Sequence, residues 1–347
     1  MRRATYGGTK ADIDSLIGLT AQQAVAQLFD SNIPDPELPI DPEIGTEWIT
    51  TGPEGDENSR QNYFRYWLIG QMLNPTAVPQ NQKLSYTTRE KITFFLQTYF
   101  TGKVSKIDNS RALYFQNALF RQFAFDSFLD VELNFKSLTK KICIDNGMLI
   151  FLDGRDNLKG NVNENFGREL LELYSIGRGL EGTNPPTDDP GDYFFFTEQD
   201  VRAAAEVLSG WTTDNDFATI DEDTGLPRGV VRGNPLDATQ HAEGVKEFSR
   251  RLGDGVEGVS ISPDPLLLDN GRQTEASALD EIDQLIELIF TKEETSRHLV
   301  RKLYRYFVYY EISEEIENSI ISVLAESFIN NDYKLQPLLQ ELFESQH

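Results

Sequence analysis

The chain's 347 residues suffice for one large or two ordinary domains, and a hydrophobic share of 39% is enough for a proper core, so it is not a disordered chain. Its 56 Asp plus Glu against 32 Lys plus Arg give a formal charge of −24, which repels phosphate backbones and anionic lipid headgroups and argues against nucleic acid as a partner. No window approaches the roughly 18 apolar residues of a membrane span, so the chain reads as soluble with no membrane insertion.

The start, MRRATYGG, carries paired arginines without an apolar stretch behind them, and so does not read as a secretory or twin-arginine leader. Periodicity then predicts helices near 9–17 and 20–30, the second opened by Thr20 with Gln23 as a capping box. Residues 31–56 are rich in Pro and acids and read as a long surface loop. Helices are expected again near 57–73, 87–101, 109–127 and 134–146, with Thr87 and Glu90 as a second capping box. The lone cysteine, Cys143, sits in an apolar helical run, which rules out an intrachain disulfide and reads as a buried thiol. Helices near 163–177 and 197–209 follow. The 211–275 stretch, with GVVRG, VKEFSRRL and GVSIS, predicts a small β-containing or irregular insertion. The chain closes on helices near 278–290, 292–310, 314–330 and 334–344, Thr291 with Glu294 capping the second of these. The expected fold is mainly α, one multi-helix body across 1–347.

Residues 149–179 hold the densest collection of groups able to grip a sugar, move a proton or bind a metal. Between Asn163 and Glu172 the sequence reads as an amphipathic helix, with Phe166, Leu170 and Leu173 on one side. Glu169 and Glu172 lie one turn apart, their Cβ atoms about 5–6 Å from each other, and Arg168 stands four residues from both Glu164 and Glu172. Closely placed carboxylates acquire different pKa values, so this pair can divide acid and base duties or share a divalent cation. The same residues also form i,i+4 ion pairs, each stabilising a helix by about 0.2–0.5 kcal/mol without any chemistry. Asn157, Asn161, Asn163 and Asn165 supply amides suited to substrate binding, although Asn163 is also a natural N-cap.

A second cluster begins at Thr197, an N-cap paired with Asp200, and adds Glu198 in the first turn and Trp211 after the helix. Trp211 reads as a core or rim aromatic, or as a platform for sugar stacking. His241 joins as a potential acid or base; with only His298 and His347 besides, any metal would need carboxylate ligands. The sequence contains no HEXXH, GxSxG, GxxxxGK[ST] or GxGxxG motif. Asp221–Gly225 resembles part of a calcium loop, but its glycine is out of register and it reads as a turn.

The segments RRATYGGT, REKITFFLQTYF, QNALFRQFAF, DNGMLIFLDGRDNLKGNVNENFGRELLELYSIG, FTEQDVRAAAEVLSGWT, HAEGVKEF and RHLVRKLYRYFV together resemble the bacterial family called domain of unknown function 1800. The N-E-N-x-x-R-E-x-x-E-L core at Asn163–Leu173 is the most specific element, with E-x-D-V at Glu198–Val201 and G-W at Gly210–Trp211 second. Val162 stands where the family usually has Pro, Gly167 where it has Ala, and Ala242 where its H-D-x-G-x-K pattern has Asp. Against that pattern the chain reads as truncated at both ends. The resemblance implies an exported protein, periplasmic, cell-surface or secreted, encoded beside sulfatase-like proteins, but it supplies no reaction.

Two functions follow as expectations. One is an enzyme that hydrolyses or modifies an extracellular polymer such as polysaccharide, with Glu164, Arg168, Glu169, Glu172, Glu198 and His241 as catalytic groups. Asn157, Asn161, Asn163, Asn165, Asp200 and Trp211 would bind the substrate, with a divalent cation as an option. The other is a non-catalytic exported binding or scaffold protein in which the same residues form a structural polar network.

Overall fold

Local punctuation sets most helix starts. In the computed structural model, which describes residues 3–50, 56–73, 78–125, 133–187 and 192–345, Thr9, Thr20, Thr197 and Thr274 each close a capping box. Met1, Arg2 and His347 lie outside the described residues, as do 51–55 of the acidic loop and 126–127 of the helix expected at 109–127.

In chain order the helices are α1 (Lys10–Leu16), α2 (Ala21–Leu28), α3 (Glu57–Leu73), α4 (Lys83–Tyr99), α5 (Val104–Ile107), α6 (Ser110–Ala124), α7 (Phe135–Cys143) and α8 (Asn146–Phe151). They continue with α9 (Asn165–Glu172), α10 (Glu198–Val207), α11 (Glu275–Phe290), α12 (Glu293–Phe307), α13 (Glu314–Ile316), α14 (Ser322–Asn330) and α15 (Leu335–Glu344). The fold is mainly α. Between α10 and α11 lie two antiparallel pairs: β1 (Trp211–Thr212) with β2 (Val230–Val231), and β3 (Lys246–Phe248) with β4 (Val259–Ile261). Trp211 faces Val231 and Phe248 faces Val259 in register, so the excursion expected in 211–275 is two short hairpin-like ladders.

Two expected caps are not caps. Thr87 lies inside α4, where its hydroxyl donates to the Lys83 carbonyl, and its supposed partner Glu90 is spent on a distant arginine. Thr291 ends α11, donating to the Leu288 carbonyl, and α12 starts at Glu293 without it. The run read as one helix over 134–146 breaks at Ile144–Asp145, because Asp145 accepts from the Met148 amide and opens α8. The helix expected over 314–330 contains a π-helical stretch at Glu317–Ile321.

The described residues fall into two compact units, Met1–Phe135 with Arg301–His347, and Lys136–Val300. In the first unit, Phe100 stacks on Phe120 and Phe135 with ring centroids 5.9 and 5.7 Å apart. The same unit holds a buried ion pair beneath the Trp67 ring: Arg121 donates from Nε and Nη2 to the two oxygens of Glu90, each at 2.8 Å, and Nη2 also donates to Asn117. The acidic loop is only partly superficial. Trp48 and Ile49 are buried, the Trp48 indole donates to Ser110, and Arg111 donates to the Ile49 carbonyl.

In the second unit the buried side of α9 is Phe166, Leu170 and Leu171. Leu173, expected on that side, is instead exposed, because α9 ends at Glu172 and the chain turns away through Gly177 at φ 73°. Gly167 lets α9 and α10 approach backbone to backbone: a Cβ there would sit 2.8 Å from both the Ala205 nitrogen and the Val201 oxygen. Cys143 is buried, with its thiol donating to the Thr139 carbonyl and its pKa pushed up to about 12 by burial. Among the described residues, no helix is long and apolar enough to cross a membrane.

Candidate functional site

The close approach at Gly167 brings the polar side of α9 to the first turn of α10. Arg168 extends from α9 and grips Glu198 with both arms of its guanidinium, at 2.6 and 2.7 Å, and reaches Glu164 at 3.3 Å. That fork holds Glu198 below the usual carboxylate range, burial acting against it more weakly, and the same contact pushes the Arg168 pKa upward. One turn on, Glu172 accepts from the Tyr193 hydroxyl at 2.8 Å through one oxygen and pairs with Arg178 at 2.5 Å through the other. Arg178 also lies over the Tyr193 ring, 4.8 Å from its centroid. Glu169 stands between these two clusters, half-buried, with Tyr174 in its field. The result is one band of alternating charge along α9. Arg178, which helps complete it, lies within the dense 149–179 stretch, whereas Tyr193 carries no local sequence signal as a site residue.

The asparagines serve the backbone. Asn157 is fully buried; its amide nitrogen donates to the Ala205 carbonyl at 2.7 Å and its oxygen accepts from the Asn163 amide at 3.0 Å. Asn163 accepts from the Asn165 amide at 3.0 Å and so does the work of an N-cap, while Asn165 donates to the Leu152 carbonyl. Asn161 is exposed and pairs through its backbone with Leu158 in a tight turn. Asp200 is fully buried and accepts four hydrogen bonds, from the amide and hydroxyl of Thr197 and from the amide and hydroxyl of Ser249. Trp211 is also fully buried, so it has no face on which a sugar can stack. The expected use of Asn157, Asp200 and Trp211 as ligands to substrate gives way to internal roles, because each is sealed from solvent.

His241 belongs to a separate buried cluster. Its Nδ1 lies 2.9 Å from the Ser209 carbonyl and its Nε2 lies 3.1 Å from Glu281, so both ring nitrogens are engaged and neither is open to a substrate proton. The same Glu281 oxygen receives the Lys246 ammonium, and its other oxygen accepts from Gln273 at 3.3 Å. Burial pulls the Lys246 pKa down, and the Glu281 charge acts against that. Glu281 and Lys246, like His241, are at most 1% exposed. Lys246 falls within the H-x-x-G-x-K pattern, but Glu281 lies 40 residues from His241 and could be found only from the fold.

Among the described residues, no group of three or more His, Cys, Asp or Glu is arranged to hold a metal ion. Asp221 and Asp223 of the calcium-like turn are both engaged by Lys141.

No curated protein and no solved structure matches the chain. The family model described as Protein of unknown function (DUF1800) matches residues 1–347, and the chain therefore belongs to that family.

Proposed function

We propose that the protein is a non-catalytic binding or scaffold component acting outside the cytoplasm, and that the polar side of α9 is a network fixing α9 against α10 and the segment around Tyr193. The observation that carries this reading is the saturation of the carboxylates. Both Glu198 oxygens accept from Arg168, and both Glu172 oxygens are taken by Tyr193 and Arg178. A general acid needs a carboxyl that stays protonated near neutral pH, whereas Arg168 holds Glu198 ionised. His241, the imidazole of the expected machinery, is sealed in a different cluster.

The second reading is a hydrolase acting on an extracellular polysaccharide, using Glu164, Arg168, Glu169, Glu172 and Glu198, with or without a divalent cation. What favours it is access: the side chains of Glu164 and Glu198 are each 41% exposed. Export, and an extracellular polymer or a co-encoded sulfatase-like protein as partner, are parts of the proposal that rest on the family resemblance.

Melting temperatures of Arg168→Met and Glu172→Gln separate the two readings. A structural network loses about 1–3 kcal/mol when a half-buried partner is orphaned, while removal of a catalytic carboxylate leaves stability unchanged or raises it. A fall of several degrees in both variants is expected. Unchanged or raised melting in both overturns the network reading.

A further inference from the structure

Beside the first turn of α10 lies a pocket of about 620 Å³, within the range of small-molecule sites, lined by Asp192, Gln199, Phe248, Arg250, Arg251 and Gly258 among others. We propose that this pocket binds an oxyanion, a carboxylate or a sulfate ester, carried on a sugar unit of an acidic polysaccharide. The proposal deepens the binding reading given above.

Charge is the first argument. The chain carries a formal −24, yet this concavity presents two guanidiniums against the single carboxylate of Asp192. Asp192 is already committed: it accepts from the Glu198 amide at 3.1 Å and stands 3.6 Å from Arg251. Arg251 in turn donates to the Tyr193 carbonyl. Arg250 is different. It is exposed and lines the pocket, and among the described residues its side chain makes no hydrogen bond or ion pair, so its guanidinium keeps a complete planar fork of donors. Such a fork matches the two oxygens of a carboxylate or sulfate. At physiological ionic strength the Debye length is about 8 Å, so acidic residues farther off are largely screened, while Asp254 and Glu257 of the same turn offset part of the local positive charge.

Rigidity is the second. Asp200 ties the amide and hydroxyl of Ser249 to the start of α10, and the turn is closed by Gly253 N–H to the Ser249 carbonyl and Gly255 N–H to the Arg250 carbonyl. The two arginines therefore leave a braced turn. At Gly258 the opposite strand comes so near that a Cβ would run into the Phe248 carbonyl oxygen. Gln199 spends its amide nitrogen on the Glu247 carbonyl at 3.0 Å, leaving its side-chain oxygen to accept from a sugar hydroxyl.

The test is affinity electrophoresis of the full chain in native gels containing polygalacturonate, dextran sulfate or neutral dextran, comparing wild type with Arg250→Gln and Arg250→Lys. Retardation by at least one polyanion and not by neutral dextran is expected, with affinity falling about tenfold or more in Arg250→Gln and partly recovered in Arg250→Lys. Which polyanion retards the protein identifies the carboxylate or the sulfate as the recognised group. Retardation by neither polyanion, equal retardation by neutral dextran, or undiminished binding by Arg250→Gln at wild-type melting temperature overturns the proposal. None of these outcomes bears on the melting of the α9 variants, so failure here is distinguishable from failure of the network reading.

Discussion

Replacing Glu281 with Gln tests whether the buried cluster around His241 holds the second unit together. Glu281 is fully buried and is the anionic partner of Lys246, which is itself 1% exposed; it also meets His241 at 3.1 Å and Gln273 at 3.3 Å. An amide of nearly the same shape keeps the packing but removes the charge, stranding a dehydrated ammonium. Breaking a buried pair in this way costs about 3–5 kcal/mol, a fifth or more of the roughly 5–15 kcal/mol that stabilises an ordinary domain. For a unit the size of Lys136–Val300, each kcal/mol moves the melting point by about 2–4 °C, so a drop of about 6–20 °C is expected. Circular-dichroism melts and urea titrations read it directly. The double variant Glu281→Leu with Lys246→Met should recover much of the loss, because the charge and its partner leave together. A single-variant loss below about 1 kcal/mol would refute the reasoning.

Three further outcomes can be checked on the same protein. Gly167→Ala should lower stability by about 1–3 kcal/mol in urea titrations, since its methyl would meet the α10 backbone; a more stable variant would mean that α9 and α10 separate freely. Acid should destabilise the first unit through Glu90: burial pushes that carboxyl up, but Arg121 and Arg89 together outweigh it and hold it below the ordinary 4.5. Its contribution is thus complete above about pH 4.5 and lost as pH falls through the lower folded value, and Arg121→Met should flatten that limb of a stability-against-pH curve. Cys143, buried with a pKa near 12, should resist iodoacetamide at pH 8 in the folded protein and react once urea unfolds it.

What could be read from the sequence was mostly what is local. Thr20 and Thr197 cap helices because both partners of each box lie three residues apart, and the VV, KEF and VSI pieces of the insertion are strands because alternation is itself local. Thr87 and Glu90 show the same spacing yet form no cap, since a guanidinium 31 residues away claims the carboxylate. The asparagines before α9 looked like ligands because amides are rarely needed on a solvated helix face. Asn157 instead completes the hydrogen bonding of chain segments 48 residues apart, a demand visible only once α10 is in place. Arg168 and Glu198 were legible as charged residues near helix starts, but their fork depends on Gly167 drawing the two helices together. The Arg250–Arg251 doublet, in a chain of formal charge −24, is likewise a local feature of the sequence.

Asp200 carries a wider consequence. One carboxylate both starts α10 and secures the turn after β3, two places 49 residues apart along the chain. Opening of the α10 start carries the acceptor away from Ser249 as well, whereas the Ser249 turn can open and leave the Thr197 box intact, so the Ser249 amide should exchange with solvent deuterium at least as fast as that of Thr197. An oxyanion seated on the arginines would slow Ser249 first.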